Sequence, residues 1–558
     1  MTPGRFLRTT GLTTAALAAA VLLYAGLTVP PAAMSLTSAV AVPLGAYHIH
    51  TARSDGTGTV DEIAAAASRA GLSFVIFTDH GDGTRAPDPP TYRHGVLCID
   101  ALEISTTAGH VVALGLTGAA PYPLAGSPRD VIEDIHRLGG QAVIAHPDSP
   151  NPELRWRAQN IAFDGIEWLN VDSEWRDDTP VRLVMTAARA LFRSPESMAT
   201  LFARPIRTLE RWDVAASRRP IFGLAALDAH ANIAWQDTQE PRLHTALARP
   251  SYESMFRTVA QVPELTQPLT GDATNDARTI LDALIGGRSF SLIRAFASPA
   301  TLTFVASQGT SRVAMGQRLE SIAPTTFTAT VPQAPGATLT IYRNGQPVIS
   351  GRGLATLDAP VANTAGVYRV EATLPGITMP WMVSNPIVIG ASAQPPAPDI
   401  VEENRRARTM DLSTSAWAIE RSATSTGAVT NDGSSLKFGF SLGKGKPAGQ
   451  YAAAVTAVGT DQGISEIQFT GRADRPMRAS VQVRLPRGAS SERWRRSIYL
   501  DPTPRVLTIK LEEFEPADAP TTRRPIAARL QTLLLVVDTL NSVTGTSGTI
   551  WTSDMTLR

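Results

Sequence analysis

YHIHTARSDG, Tyr47–Gly56, closes an apolar run with two histidines two positions apart and places an aspartate, Asp55, five residues beyond the second. In an extended chain, residues i and i+2 project to the same face. His48 and His50 are therefore expected to present two imidazoles to one point from the end of a first strand. The whole chain of 558 residues carries only 9 histidines, so two in this stretch form a concentrated donor pair.

Working outward, the same arrangement recurs. Thr59 can cap a helix over VDEIAAAASRA that closes at Gly71, and SFVIFT follows at once as a short β-branched and aromatic run ending in Asp79 and His80. VLCIDALEI and HVVALGL read as strands, SPRDVIEDIHRLGG as a helix, and QAVIA, FDGIEWLN and IFGLAALDA as further strands. Strands alternating with helices imply a parallel sheet, open or closed into a barrel, whose active face lies at the strand C-termini.

That face is where ligand-type residues collect. Glu103 ends VLCIDALE, His110 opens HVVALGL, His146 follows AVIA, and Asp228 and His230 repeat the two-residue spacing of the first pair. Imidazole and carboxylate donors without thiolate suit Zn, Mn or Fe. Nine candidates (His48, His50, Asp55, His80, Glu103, His110, His146, Asp228 and His230) exceed what one or two four-coordinate ions with open positions require, and fit three ions or two with a weak third. His94, His136 and His244 lie in loop or helical contexts.

HIHTARSDG, FTDHGDG, AVIAHP and LAALDAH occur in this order and together resemble the four motifs of the PHP (polymerase and histidinol phosphatase) superfamily. The resemblance spans residues 46 to 231. A histidine seven residues after Glu103, in GHVVALGL, is similar to the exported CehA/McbA-type metallohydrolases of that superfamily. The resemblance implies a distorted (β/α)7 barrel over residues 44–296 with a trinuclear site. His48, His50, Glu103 and Asp228 would hold one divalent ion; Glu103, His110 and His146 a second; Asp55, His80 and His230 a third, with Glu103 bridging. It implies an exported metal-dependent hydrolase using a metal-bridging hydroxide, a phosphoesterase first, with carbamate, ester or amide hydrolysis as the alternative. Paired ions about 3.5 to 4 Å apart can acidify water towards a pKa of ~7, so no protein nucleophile is required. Glu103, His80 and His230 are the candidate catalytic residues, the two histidines being engaged as ligands near the leaving group.

Other polar residues have competing readings. Glu167, Trp168, Asn170 and Trp175 could form a substrate rim, but salt bridging and core packing are the plainer assignment. Arg53 and Arg85 could clamp an anion or simply be solvated loop arginines. GDG at 81–83 reads as a tight turn, since it lacks the acidic periodicity of a calcium loop. Residues 179–217, rich in alanine, leucine and arginine at helical spacing, read as a helical insertion covering the site or as ordinary barrel helices.

Beyond residue 296 the pattern changes to period-two alternation. Asn344-Gly345 between two strand-like runs is a hairpin signal, and residues 297–392 suggest an immunoglobulin-like β-sandwich. Residues 393–404 are a proline-rich acidic linker, and 405–558, with SLKFGFSL, ASVQVRL, VLTIKL and TLLLVVD, suggest a C-terminal β jelly roll. Trp417, Trp494 and Trp551 there are either core residues or sugar-stacking platforms, which leaves glycan or envelope contact through this domain open. A cell-surface glycan-binding protein with the barrel as scaffold is the alternative from another class.

The formal charge of +1 gives no basic surface for nucleic acid. The lysines are Lys437, Lys444, Lys446 and Lys510, so cations in the first three quarters of the chain are arginines. Cys98 stands alone in an apolar run, which excludes an intrachain disulfide and a cysteine zinc cage, and it reads as a buried hydrophobe. Residues 1–43 open with two arginines and an apolar run, expected to be an export signal or N-terminal membrane anchor that places the rest outside the cytoplasm. A small-molecule substrate is the expected partner.

Overall fold

The computed structural model describes residues 3–558 except 177, 232–250, 334–335, 363–364, 391–407, 447–448, 459–463, 488–489 and 518–523. His244 and the expected linker at 393–404 fall outside the described residues. The chain divides into two compact units: Met1–Gly81, Pro87–Gly118 and Ile135–Pro395 form one, and Asp82–Ala86, Ala119–Asp134 and Pro396–Arg558 the other.

In the first unit the opening strand, Gly45–Ile49, pairs in parallel with Phe74–Phe77, which pairs in parallel with Val96–Asp100. A second sheet runs Phe222–Ala226, Gly165–Asn170, Gln141–Ile144, Gly109–Leu114, Leu102–Thr106. Its first three strands are parallel, but Leu102–Thr106 and Gly109–Leu114 form an antiparallel hairpin, and Gly109–Leu114 also pairs antiparallel with Gln141–Ile144. These ladders do not form a continuous (β/α)7 barrel. The two sheets meet through isolated bridges, His80↔Glu103 and Ile49↔Ala229. The reason is local: VLCIDALEI is two strands in different sheets, broken at Ala101, and the hairpin turn at Thr107–Gly109 leaves no room for a crossover helix.

Apolar side chains from both sheets, among them Tyr47, Phe74, Ile76, Leu97, Val112, Val143, Phe222 and Leu224, share one buried cluster with Ile280 and Leu284 of the helix Ala273–Ile285. Fully burying each large side chain stabilises the fold by about 1.5–3 kcal/mol. The helix Val60–Arg69 begins as expected: Thr59 accepts from the Glu62 backbone N–H, and the Glu62 carboxylate accepts from the Thr59 N–H, a reciprocal cap. The segment 179–217 is helical, as Pro180–Ala190, Ser194–Ala199 and Ile206–Arg218. The last of these packs on the strand Gly165–Asn170 like a barrel-layer helix, whereas Pro180–Ala190 packs against the N-terminal helix Pro3–Leu27. Among the described residues no helix is long and apolar enough to cross a membrane.

The β-rich region after residue 296 has one sheet of its own, Ser311–Ala314, Thr303–Gln308, Thr325–Thr330 and Thr356–Val361. Its other strands continue the first sheet, because Met382–Ser384 pairs with Ser289–Leu292. The boundary expected at 296/297 is therefore no break in hydrogen bonding. The Asn344-Gly345 turn joins Thr338–Arg343 to Gln346–Arg352 with both turn residues at positive φ, 50° and 81°, as a type I′ hairpin requires.

The second unit contains two six-stranded, antiparallel sheets around a large apolar cluster that includes Phe438, Phe469, Trp494 and Leu535. Trp417 and Trp494 are buried there. Trp551 lies under the Arg472 guanidinium, 3.7 Å from its ring centroid, and donates to Asp432. Trp417 and Trp494 thus serve the core, and the partly exposed Trp551 makes a cation–π contact.

Candidate metal centre

All nine predicted ligands converge. The first strand delivers its pair differently from a plain extended chain: His48 has φ 65°, and the ladder with Phe74–Phe77 shifts register between Tyr47 and Ile49. This bulge turns His48 inward, so its Nε2 lies 3.1 Å from His50 Nε2. His146 (φ 29°) and Asp228 (φ 50°) share the left-handed backbone. Such strain persists where surrounding structure fixes it, and it clusters at functional sites. Gly56, which ends the opening stretch, allows the loop to fold back: a Cβ there would stand 2.2 Å from the His50 carbonyl oxygen.

Three overlapping groups of donors result: His48, His50, Glu103 and Asp228; His50, Asp55, His80 and His230; and His80, Glu103 and His110. The first is the set that the motifs imply, and the second adds His50 to the implied set. The third has His80 where His146 was expected, although His146 Nε2 still lies 2.9 Å from Glu103 Oε1, the oxygen that also faces His110 Nδ1 at 2.8 Å. Glu103 turns its other oxygen, Oε2, to His48 and His50 at 3.1 and 3.2 Å. One carboxylate thus addresses two donor groups.

The first group has the dimensions of a coordination shell. Glu103 Oε2 and Asp228 Oδ1 stand 3.1 and 3.3 Å from His48 Nε2, and 3.2 and 3.2 Å from His50 Nε2. Four ligands about 2.0 Å from a shared centre are separated by about 3.3 Å in a tetrahedron. Hydrogen bonding pairs these atoms only where both imidazoles are protonated, His48 Nε2 donating to Glu103 and His50 Nε2 to Asp228. His48 Nδ1 faces Glu167 Oε1 at 2.5 Å and donates its proton there, which leaves Nε2 as a lone pair or, in the imidazolium, with one proton for three neighbours. A divalent cation satisfies all of them at once. The donor set therefore fits metal ions.

The remaining imidazoles are held in the same way. His146 Nδ1 donates to the Leu154 carbonyl at 3.0 Å and His230 Nδ1 to the Asp228 carbonyl at 2.9 Å, each freeing Nε2 for the site. Burial works against a charged His48, but Glu167, Asp228 and Glu103 outweigh it and hold its pKa well above the ordinary value. Burial likewise opposes ionisation of Glu103, yet His80, His48 and His110 hold it well below the usual carboxylate range. His80 is lowered, chiefly by burial. His48, His50, Glu103, His146 and Asp228 are buried, while Asp55, His80, His110 and His230 are partly exposed and form the open edge.

Several residues around the site act otherwise than as a rim or clamp. Glu167 accepts from His48, from the His146 backbone N–H (2.8 Å) and from Asn170 Nδ2 (3.0 Å), which also donates to Asp228. The salt-bridging assignment was thus the nearer one, and Trp168 is core, donating to Ser291. Arg53 is taken up by Asp79, Asp88 and Asp100. Cys98 is buried and its pKa pushed up to about 11 by burial. His94 and His136 lie outside the site on Asp61 and Asp164.

Two positioning residues were not among the candidates read from the sequence. Asp79 accepts from the Thr51 N–H and from Ser54, both at 2.7 Å, holding the loop after His50; its place directly before His80 was the available signal. Tyr252 donates to the His50 carbonyl at 2.8 Å and lies 3.1 Å from the His230 carbonyl, tying two ligand backbones together. Nothing local in the sequence marks it.

No family model matches the chain. Over 138 residues it is 33% identical to an uncharacterized protein of Methanocaldococcus jannaschii, covering 22% of this chain and 79% of the archaeal protein, and it belongs to the same family as that protein. Among solved structures it is similar to a two-domain protein from Bacteroides vulgatus containing a predicted PHP-like metal-dependent phosphoesterase (TM-score 0.31, 13% identity, 64% of this chain and 99% of that one). It is also similar to a family 11 carbohydrate-binding module from Clostridium thermocellum (TM-score 0.23, 12% identity, 27% of this chain and 94% of that one).

Proposed function

We propose that the protein is a metal-dependent hydrolase of the PHP type, related to the CehA/McbA branch, acting at a centre of up to three divalent ions on a phosphoester. The observation that carries this is the close convergence of His48 Nε2, His50 Nε2, Glu103 Oε2 and Asp228 Oδ1, with each imidazole nitrogen 3.1–3.3 Å from the other and from both carboxylate oxygens. The ordered set of four motifs supports the same reading.

Bound ions would supply Lewis acidity and acidify water enough to attack at neutral pH. The chain's own residues do the rest. His48, His50 and Asp228 would hold one ion, Asp55, His80 and His230 another, and His110 and His146 a third through the shared carboxylate of Glu103. Glu167 and the Leu154 and Asp228 carbonyls fix which imidazole nitrogen carries the proton. Substrate would enter over the half-open edge of Asp55, His80, His110 and His230. The catalytic assignment of Glu103, His80 and His230 belongs to this proposal.

Elemental analysis of the purified chain, followed by assay of aryl phosphates against aryl carbamates and esters before and after chelation, tests it. About three equivalents of Zn, Mn or Fe and chelator-sensitive phosphate release are expected. Absence of bound metal, or turnover indifferent to chelation, overturns it; carbamate or ester turnover alone would move the assignment to the alternative bond. We also propose export from the cytoplasm, on the strength of the arginines followed by an apolar run at the N-terminus, to be checked by fractionation of cells expressing the full chain.

A further inference from the structure

We propose that the N-terminal helix and the first insertion helix together form a docking surface for an anionic lipid bilayer. This is independent of the hydrolase reading.

The helix Pro3–Leu27 exposes Ala15–Ala20 throughout, and Leu22, Leu23, Tyr24 and Leu27 besides, with Leu27 78% exposed. Exposed apolar side chains gathered on one segment call for an apolar partner. The helix's C-terminal turn packs against the insertion helix Pro180–Ala190. A Cβ on Gly26 would stand 3.4 Å from the Phe192 ring, and Arg189 donates to Thr28 Oγ1 at 3.1 Å.

The insertion helix continues the apolar surface. Val181, Val184, Ala187 and Leu191 are exposed at spacings of three and four, so they line one face of that helix and its C-cap. Phe192 beside them is also exposed. These residues and those of the N-terminal helix account for nearly half of the large apolar side chains exposed among the described residues. Monomeric soluble surfaces scatter such residues singly; a contiguous patch marks an interaction site.

Charge selects the partner. Residues 3–27 and 180–193 contain Arg5, Arg8, Arg182, Arg189 and Arg193 and no aspartate or glutamate. Arg182 is paired with Asp178, whereas among the described residues Arg189 and Arg193 meet the uncharged Thr28 hydroxyl and Pro30 carbonyl. Arginines flanking an exposed apolar stripe are the chemistry of an interfacial helix on anionic lipid.

Cys98 is the chain's one cysteine and is buried, so a single reporter can be placed at will. Full-length V184C and V214C carry a polarity-sensitive thiol probe, Val214 being an exposed apolar residue on the helix Ile206–Arg218. Both are mixed with phosphatidylcholine vesicles with and without phosphatidylglycerol. The expected result is a blue shift and quenching by nitroxide-labelled lipid at position 184, on phosphatidylglycerol vesicles, with position 214 unchanged. A second variant, L191E/F192E, changes exposed side chains and should lower vesicle partition of the full chain about tenfold with an unaltered circular dichroism spectrum. A probe at 184 that stays water-like while the chain sediments with vesicles overturns the proposal. So does a blue shift without vesicles that grows with protein concentration, which would assign the surface to a second copy of the chain.

Discussion

Two buried clusters of charge invite comparison. In the second unit Arg478, 0% exposed, is held by Asp134 (2.7 Å), Glu133 (3.2 Å) and Asp130 (3.4 Å), with Ser497 Oγ at 3.2 Å and Arg496 joining Asp130 and Glu133. Donors meet acceptors in that network, and the cation is a side chain. At the strand ends of the first unit, imidazole nitrogens and carboxylate oxygens face one another, and among the described residues Glu103 and Asp228 are ion-paired with histidines. The first arrangement is complete as built; the second is a donor set that fits a metal ion. Burial alone therefore does not distinguish a structural ion network from a metal centre. The kind of donor does: guanidinium against carboxylate in the one, imidazole against carboxylate in the other.

The largest effect that would break this contrast comes from Glu103. E103Q preserves volume but removes the charge that two donor groups share, and it should lower metal affinity by more than ~100-fold, beyond the loss expected for an outer partner, with hydrolysis falling in parallel. Metal content by elemental analysis and phosphate release report it.

Removing Arg478 tests the opposite cluster. R478M removes the arginine held by the buried Asp134, while Asp130 keeps Arg496, and breaking such a pair costs about 3–5 kcal/mol. Denaturant unfolding should show the loss, while metal content at the histidine cluster stays at the wild-type level.

Glu167 sharpens the comparison, because it orients a ligand without joining the shell. E167Q should weaken metal affinity by about 10–100-fold, with metal restored at high concentration, an outcome E103Q should not allow. Competition with a chromogenic chelator separates the two variants.

The smallest effect concerns a third charged group, at Asp213. Burial raises its pKa to about 6 although Arg369, 3.1 Å away, pulls it down. The folded chain thus holds this proton more tightly than the unfolded chain. Stability is gained as pH falls through about 6 and is complete below the ordinary carboxyl value. Relative to D213N, the wild type should gain about 1 kcal/mol between pH 7 and pH 5, measured by urea unfolding at the two values. No relative gain would show that Asp213 is ionised at pH 5.

Much of the centre was legible because its donors are rare residue types set at the ends of apolar runs. The nine ligand candidates needed no long-range information to be found. Their grouping did: Glu103 faces His80 as well as His110 and His146, and His50 lies near Asp55 as well as Glu103 and Asp228. The same-face argument for His48 and His50 gave the right convergence for the wrong reason, because the strand bulges between them and the backbone of His48 is left-handed. Tyr252 stayed invisible, since a tyrosine that ties two carbonyls 202 and 22 residues away leaves no periodic trace.

The sequence by itself determined the chemistry: imidazoles and carboxylates at strand ends, β-rich regions after residue 296, a capped helix at Thr59, a hairpin at Asn344-Gly345. These follow from side-chain type and short-range backbone preference, which act over a few residues. Tertiary structure alone decided that VLCIDALEI breaks into two sheets, that the sandwich strands extend the first sheet, that Trp417 and Trp494 are core, and which imidazoles face which carboxylates. Those outcomes depend on segments tens to hundreds of residues apart competing for the same hydrogen bonds and the same volume, and no local pattern records who wins.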